Sequence, residues 1–211
     1  MVDFSLYLIT DRMQTAGRAL PAVVADALRG GLRSVQLREK DLTAGQLFDL
    51  AVELRKLTRE FGARLLINDR IDVALAVAAD GVHLGKASLP VSEARRLLGS
   101  ERLIGYSAHS ADEALQAELG GADFVTLGPV YRTPSKALYG EPLGVSALSE
   151  ATGVVNIPVF ALGGVKQTSV AEVLSAGARG VALISAIMAA SNPKFETELL
   201  LRTIAHHAIA S

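Results

Sequence analysis

Short apolar runs recur along this chain, and each is followed by a longer Ala/Leu-rich stretch with helical spacing. The runs are FSLYLIT (4–10), SVQLR (34–38), RLLIN (64–68), GVHLG (81–85), LIGYS (103–107), FVTLG (124–128), IPVFAL (157–162) and GVALIS (180–185). They are near-continuously apolar, as strands buried on both faces of a parallel sheet must be. Between them the spacing predicts helices over 19–29, 43–61, 70–78, 90–98, 110–119, 144–151, 168–176 and 195–208. Thr43 and Ser110 stand where N-caps belong, and glycines in RGG (29–31), LGGA (119–122) and SAGA (175–178) close helices. Eight strand–helix alternations predict an α/β fold, a (β/α)8 TIM barrel spanning residues 1–211 as a single domain. A doubly wound open sheet is the alternative. It needs a Gly-rich phosphate turn after the first strand, where LITDRMQT has none.

A barrel places its active site at the C-terminal ends of its strands. Polar residues collect at those ends while the strand interiors stay apolar. Strand two runs into Gln36, Arg38 and Lys40, and strand three into Asn68 and Asp69. Strand four is followed by Lys86 and Ser88, and strand five by Ser107 and His109. After strand six comes GPVYRTPSKALYG, with Thr133, Ser135 and Lys136; strands seven and eight end in Gly163-Gly164 and Ile184-Ser185. Taken singly, each has an ordinary reading: Arg38 and Lys40 as a solvated loop, Asp69 as a helix cap, Gly163-Gly164 as a tight turn, Lys136 as a surface lysine, His83 as a core histidine. Ser107 and His109 make a poor nucleophile–base pair, with no acid visible to orient the histidine. Taken together, the rim offers three cations (Arg38, Lys40, Lys136), one carboxylate suited to Mg²⁺ (Asp69), and two places for phosphate. At the Gly-Gly turn, backbone N–H groups would approach a phosphate at a helix N-terminus.

Composition narrows this further. Net charge is -1 and the pI is about 6.4, so an anion site must come from a local cluster, and no basic surface points to nucleic acid. There are no cysteines, which excludes disulfides, thiol nucleophiles and Cys-held metals. No apolar run approaches membrane-spanning length, and MVDFSLYLITDR has no leader pattern. The expectation is a soluble, cytoplasmic protein that binds small phosphorylated substrates and neither nucleic acid nor membrane.

LYLITDR, QLREK, LLINDR, ADGVHLG, IGYSAH, ADFVTLGPVYRTPSK, FALGGV and LISAI, in this order along nearly the whole chain, resemble the thiamine-phosphate synthase family. That family is a (β/α)8 barrel joining hydroxymethylpyrimidine diphosphate to a thiazole phosphate with release of diphosphate. The resemblance implies that Gln36, Arg38, Lys40, Asn68, Ser107 and Lys136 hold the pyrimidine diphosphate, with Arg38, Lys40 and Lys136 as catalytic residues. It implies that Asp69 ligates Mg²⁺ and that Thr133, Ser135, Gly163, Gly164, Ile184 and Ser185 hold the thiazole phosphate. It leaves Glu39 either turned away or paired with a neighbour. Three positions depart from the family pattern. Ser88 stands where a second acidic Mg²⁺ ligand is usual, Arg132 where Pro is common, and Ser135 where Thr is usual. The loss of the acid makes a thiazole tautomerase on the same barrel a rival, and a non-catalytic ligand-binding barrel a third reading. Pro129, in place of the tautomerase histidine, and the retained Asp69 favour the synthase.

Overall fold

The computed structural model describes residues 2–133 and 141–210. Its strands are β1 (Leu6–Ile9), β2 (Ser34–Leu37), β3 (Arg64–Asn68), β4 (Gly81–Leu84), β5 (Leu103–Ala108), β6 (Phe124–Leu127), β7 (Val159–Leu162) and β8 (Gly180–Leu183). They pair in sequence order, all parallel, and β8 pairs with β1 to close the barrel. The helices are α1 (Leu20–Arg29), α2 (Ala44–Glu60), α3 (Ile71–Ala76), α4 (Val91–Leu98), α5 (Ala111–Leu119), α6 (Gly144–Val154), α7 (Val170–Ser175), α8 (Ser185–Met188) and α9 (Pro193–Ala210). The (β/α)8 architecture expected from the periodicity is therefore present. No helix of the described residues is long and apolar enough to cross a membrane.

Local signals set the helix ends. Thr43 accepts from the Gln46 N–H in a reciprocal capping box, and Ser110 accepts from the Glu113 N–H. Gly31, Gly121 and Gly177 take the left-handed conformation that ends a helix, with φ of 99°, 96° and 93°. Several expected elements are longer than the real ones. The run 157–162 becomes a strand only from Val159, and 180–185 ends as strand at Leu183. Ile184 and Ser185 instead open the short helix α8, which the spacing did not announce. Asp69 is no helix cap either: α3 starts beyond Arg70 without a side-chain cap.

Period-two alternation divides the strand residues into two cores. Outward residues such as Leu8, Val35, Ile67, Val82 and Val125 pack beneath the helices. Inward residues Phe4, Tyr7, Ile9, Leu66, Phe124 and Phe160 fill the barrel with stacked and edge-on rings. The strand register stacks the inward residues in layers from alternate strands. Gln36, His83, Thr126 and Ala182 form one layer, and Ile9, Asn68, Ser107 and Leu162 lie above it toward the C-terminal rim. An aromatic floor thus seals the barrel from below, and the polar side chains face upward.

Candidate active site

A cleft of about 760 Å³ opens at that rim. Its lining includes Gln36, Arg38, Lys40, Asn68, Asp69, Lys86, Ser88, Ser107, Thr133, Gly163, Gly164, Ile184 and Ser185. The structure thus brings together every expected site residue that it describes. Ser135 and Lys136 lie outside the described residues.

Alternation along β2 and the residues just after it explains three of these. Gln36, Arg38 and Lys40 face the cleft, while Glu39 between them turns away and is buried. Its carboxylate accepts from Thr10 Oγ1 at 2.7 Å and from the Arg12 N–H at 3.1 Å, and pairs with the Arg12 guanidinium at 3.3 Å. Glu39 therefore braces the loop after β1 and leaves the cleft's positive charge uncancelled.

That charge is the cleft's main electrostatic feature. Arg38, Lys40, Lys86, Arg132 and Lys166 all line it, and among the described residues none of the five is in an ion pair. Two carboxylates, Asp11 and Asp69, face them. Asp11 is already engaged, accepting from the Met13 N–H at 3.0 Å and from Gln14 Nε2 at 2.6 Å. Asp69 is held at φ 61°, a left-handed conformation uncommon outside glycine and favoured at functional turns. Asn68 Nδ2 donates to its Oδ2 at 2.7 Å, and the Ser88 hydroxyl donates to its Oδ1. The Gly85 N–H in turn donates to Ser88 Oγ at 2.7 Å, fixing the loop after β4 against the end of β3.

These groups suit Mg²⁺. The donors are hard oxygens, and the two groups hydrogen-bonded to Asp69, the Asn68 amide and the Ser88 hydroxyl, are neutral. A single carboxylate fits an ion that takes most of its ligands from phosphate oxygens and water. Among the described residues there is no cluster of three or more His, Asp or Glu side chains to form an all-protein cage.

The Gly-Gly turn differs from expectation. Gly163 and Gly164 have φ of 90° and 68°, yet α7 starts only at Val170, so the pair is not at a helix N-terminus. A Cβ on Gly163 would meet Pro129 Cα at 2.6 Å; one on Gly164 would meet Tyr131 Cβ at 2.7 Å and the Arg132 carbonyl oxygen at 2.8 Å. The close approach these glycines permit is between the loops after β6 and β7. Ser107 is also not paired with His109. Its Oγ lies 3.0 Å from His83 Nε2, whereas His109 Nδ1 lies 3.2 Å from Glu113, an acid one helical turn away.

Asp11, Gln14 and Lys166 join the site without having been expected there, and Arg132 was noted only as a departure. Extending the rim rule to strand one exposes Asp11 within LYLITDR. Lys166 lies four residues past β7, where loop course rather than spacing decides its direction. His83 is inside the barrel, 2% exposed, and burial followed by the charge of Arg38 pushes its pKa down to about 3.

Fold and cleft together define a (β/α)8-barrel enzyme with a cationic mouth at the strand ends. A model of the thiamine monophosphate synthase family matches residues 6–187. This chain belongs to that family. A Geobacter sulfurreducens protein that bears the thiamine-phosphate synthase name provisionally is 60% identical over 200 residues, 95% of this chain and 94% of its own. The Clostridium novyi thiamine-phosphate synthase is 44% identical over 89% of this chain and 92% of its own. The thiamine phosphate pyrophosphorylase structure from Pyrococcus furiosus superposes with a TM-score of 0.88 at 37% identity, covering 96% of both chains.

Proposed function

We propose that the chain joins hydroxymethylpyrimidine diphosphate to hydroxyethylthiazole phosphate, giving thiamine phosphate and diphosphate. The observation that carries this is the convergence of five cations, unpaired among the described residues, on one cleft beside Asp69. The bond between the pyrimidine's methylene carbon and the diphosphate oxygen breaks with its electron pair leaving on diphosphate. The thiazole nitrogen then supplies the electron pair for the new C–N bond. No proton need be moved, which agrees with a cleft that holds no cysteine and no serine–histidine–acid triad among the described residues.

Such a reaction depends on holding charge and orienting partners. Arg38 and Lys40 receive the diphosphate as it gains charge, together with Lys136. Gln36, Asn68 and Ser107 orient the pyrimidine. Thr133, Ser135, Gly163, Gly164, Ile184 and Ser185 hold the thiazole phosphate, and Lys166 adds a cation on that side. Mg²⁺, when bound by Asp69, contributes charge neutralisation at the leaving diphosphate. Asn68 and Ser88 hold the Asp69 carboxylate in place for it.

The test is an assay of purified protein with both substrates, with and without Mg²⁺. Thiamine phosphate and diphosphate should appear in equal amounts and depend on the metal. Isomerisation of the thiazole tautomer alone, with no thiamine phosphate when both substrates are present, would make the chain a tautomerase instead.

A further inference from the structure

Beneath the cleft lies a buried polar chain that the anion site does not use. Gln36 Nε2 is 3.1 Å from Tyr7 Oη, and Tyr7 Oη is 3.3 Å from His83 Nδ1. His83 Nε2 is 3.0 Å from Ser107 Oγ, with Thr126 Oγ1 at 3.4 Å from that same hydroxyl. Tyr7, Gln36, His83 and Thr126 are each no more than 2% exposed. Room for the imidazole comes from Gly105, where a Cβ would stand 2.5 Å from His83 Nδ1 and also strike the Phe124 ring. Gln36, Ser107 and Thr126 line the cleft, whereas Tyr7 and His83 do not.

The direction of this chain follows from its chemistry. An amide nitrogen only donates, so Tyr7 Oη accepts from Gln36. The one phenolic proton then has His83 Nδ1 as its remaining partner among the described residues. His83 packs against Tyr7 and Phe124 with no carboxylate hydrogen-bonded to it among the described residues, a setting that favours the neutral ring with one N–H. With Nδ1 accepting, that proton sits on Nε2 and is donated to Ser107. Ser107 Oγ thus accepts from His83 and from Thr126, and its own proton is left for the cleft. At the other end, Gln36 has spent an N–H on Tyr7 and keeps Oε1 as an acceptor.

We propose that Tyr7 and His83 are positioning residues: they form a one-way hydrogen-bond relay that commits Ser107 to donate and Gln36 to accept at the cleft floor. The ligand edge this floor selects offers an exocyclic N–H to Gln36 and a lone pair to Ser107, as an aminopyrimidine does and its oxo counterpart does not. This rests on the reading that the pyrimidine diphosphate enters this cleft. It also bears on rate. As diphosphate leaves, positive charge spreads to the exocyclic amino group, whose N–H becomes a stronger donor. An acceptor at Gln36 therefore strengthens in the transition state, whereas a reversed relay would set an N–H against growing positive charge.

The relay can be read without turnover. In the full chain labelled with ¹⁵N-histidine, with the His83 signals assigned by their loss in His83→Gln, the ring should be the Nε2–H tautomer. The Nδ1–H tautomer, or a doubly protonated ring at neutral pH, would overturn the proposal. In Tyr7→Phe, kcat/KM for the pyrimidine diphosphate should fall about tenfold, one lost hydrogen bond, with KM for the thiazole phosphate unchanged. The original chain should bind the amino diphosphate at least about tenfold more tightly than the 4-oxo analogue, and Tyr7→Phe should narrow that ratio. Should Tyr7→Phe fail to fold, the comparison is His83→Gln with His83→Leu. The glutamine can accept from Tyr7 and donate to Ser107, so it should keep more activity; equal losses would reduce His83 to core packing. An Nε2–H tautomer in a chain without coupling activity would defeat the functional reading and leave the relay. An active chain with Nδ1–H would do the reverse.

Discussion

Ser88 and Asp69 show how one substitution can change a site's charge while keeping its geometry. The Ser88 hydroxyl reaches Asp69 Oδ1 directly, so position 88 faces the carboxylate assigned to Mg²⁺. With a neutral group there, the free protein presents one cleft carboxylate free of the β1 loop and should bind Mg²⁺ weakly. The ion should then enter with the diphosphate, whose oxygens complete its coordination. Ser88→Asp places a second carboxylate beside the first. The Mg²⁺ concentration for half-maximal rate should fall several-fold, on the order of threefold to tenfold, since ligand charge sets affinity at hard-cation sites. Lys86 lines the same cleft and offsets part of that gain, so Ser88→Asp with Lys86→Gln should fall further. The measurement is a Mg²⁺ titration of the rate for the original chain and both variants. Coincident curves would remove position 88 from the metal's surroundings.

At the level of elements, the two barrel ends separate function from stability. Asp80, in the turn before β4, accepts from the Leu65 N–H at 2.8 Å and pairs with Arg55 at 2.5 Å and Arg64 at 3.6 Å. It ties α2 and β3 to β4 at the end remote from the cleft. Removing it strands a mostly buried Arg55, so Asp80→Ala should cost about 3 kcal/mol. Urea melts should show that loss while KM for both substrates stays unchanged; a raised KM would mean the remote end shapes the cleft. The eight strands were legible because burial on both faces writes a continuous apolar run. Their ends were less so, because apolar runs continue into loops, as Ile157 and Ile184 do. Helix α8 escaped notice because four residues, SAIM, are too few to show a period. In the site, alternation beyond β2 made Gln36, Arg38 and Lys40 readable as one face. Lys166 and Gln14 were not, because loops have no period. His83 could be placed inside the barrel, but its partners Tyr7 and Ser107 come from strands 76 and 24 residues away, and only closure of the sheet brings them together.

Over the whole molecule, a net charge of -1 conceals a cationic mouth above an uncharged, aromatic-floored interior. The two are coupled, since the charge of Arg38 helps keep the His83 ring neutral. That coupling makes fold stability depend on pH in a definite direction. Burial lowers the His83 pKa from 6.5 to about 3, so between these values the unfolded chain binds a proton that the folded chain refuses. Stability from the neutral ring is therefore complete above about pH 6.5 and is lost as pH falls toward the folded value. From pH 6.5 to 5 the loss from this one group should be about 2 kcal/mol, at about 1.4 kcal/mol per unit. The window is well chosen, because Asp3, Asp41 and Asp72, whose pKa values are lowered by hydrogen bonds from arginines, lose their contribution only below about pH 4. His83→Gln removes the titrating ring and should flatten the dependence over pH 6.5 to 5, even if it lowers stability at pH 7. The measurement is a set of urea melts of both chains at half-unit pH steps. Parallel slopes would show that His83 takes up its proton in the folded state, and the interior beneath the cleft would then be wetter than its 2% exposure implies.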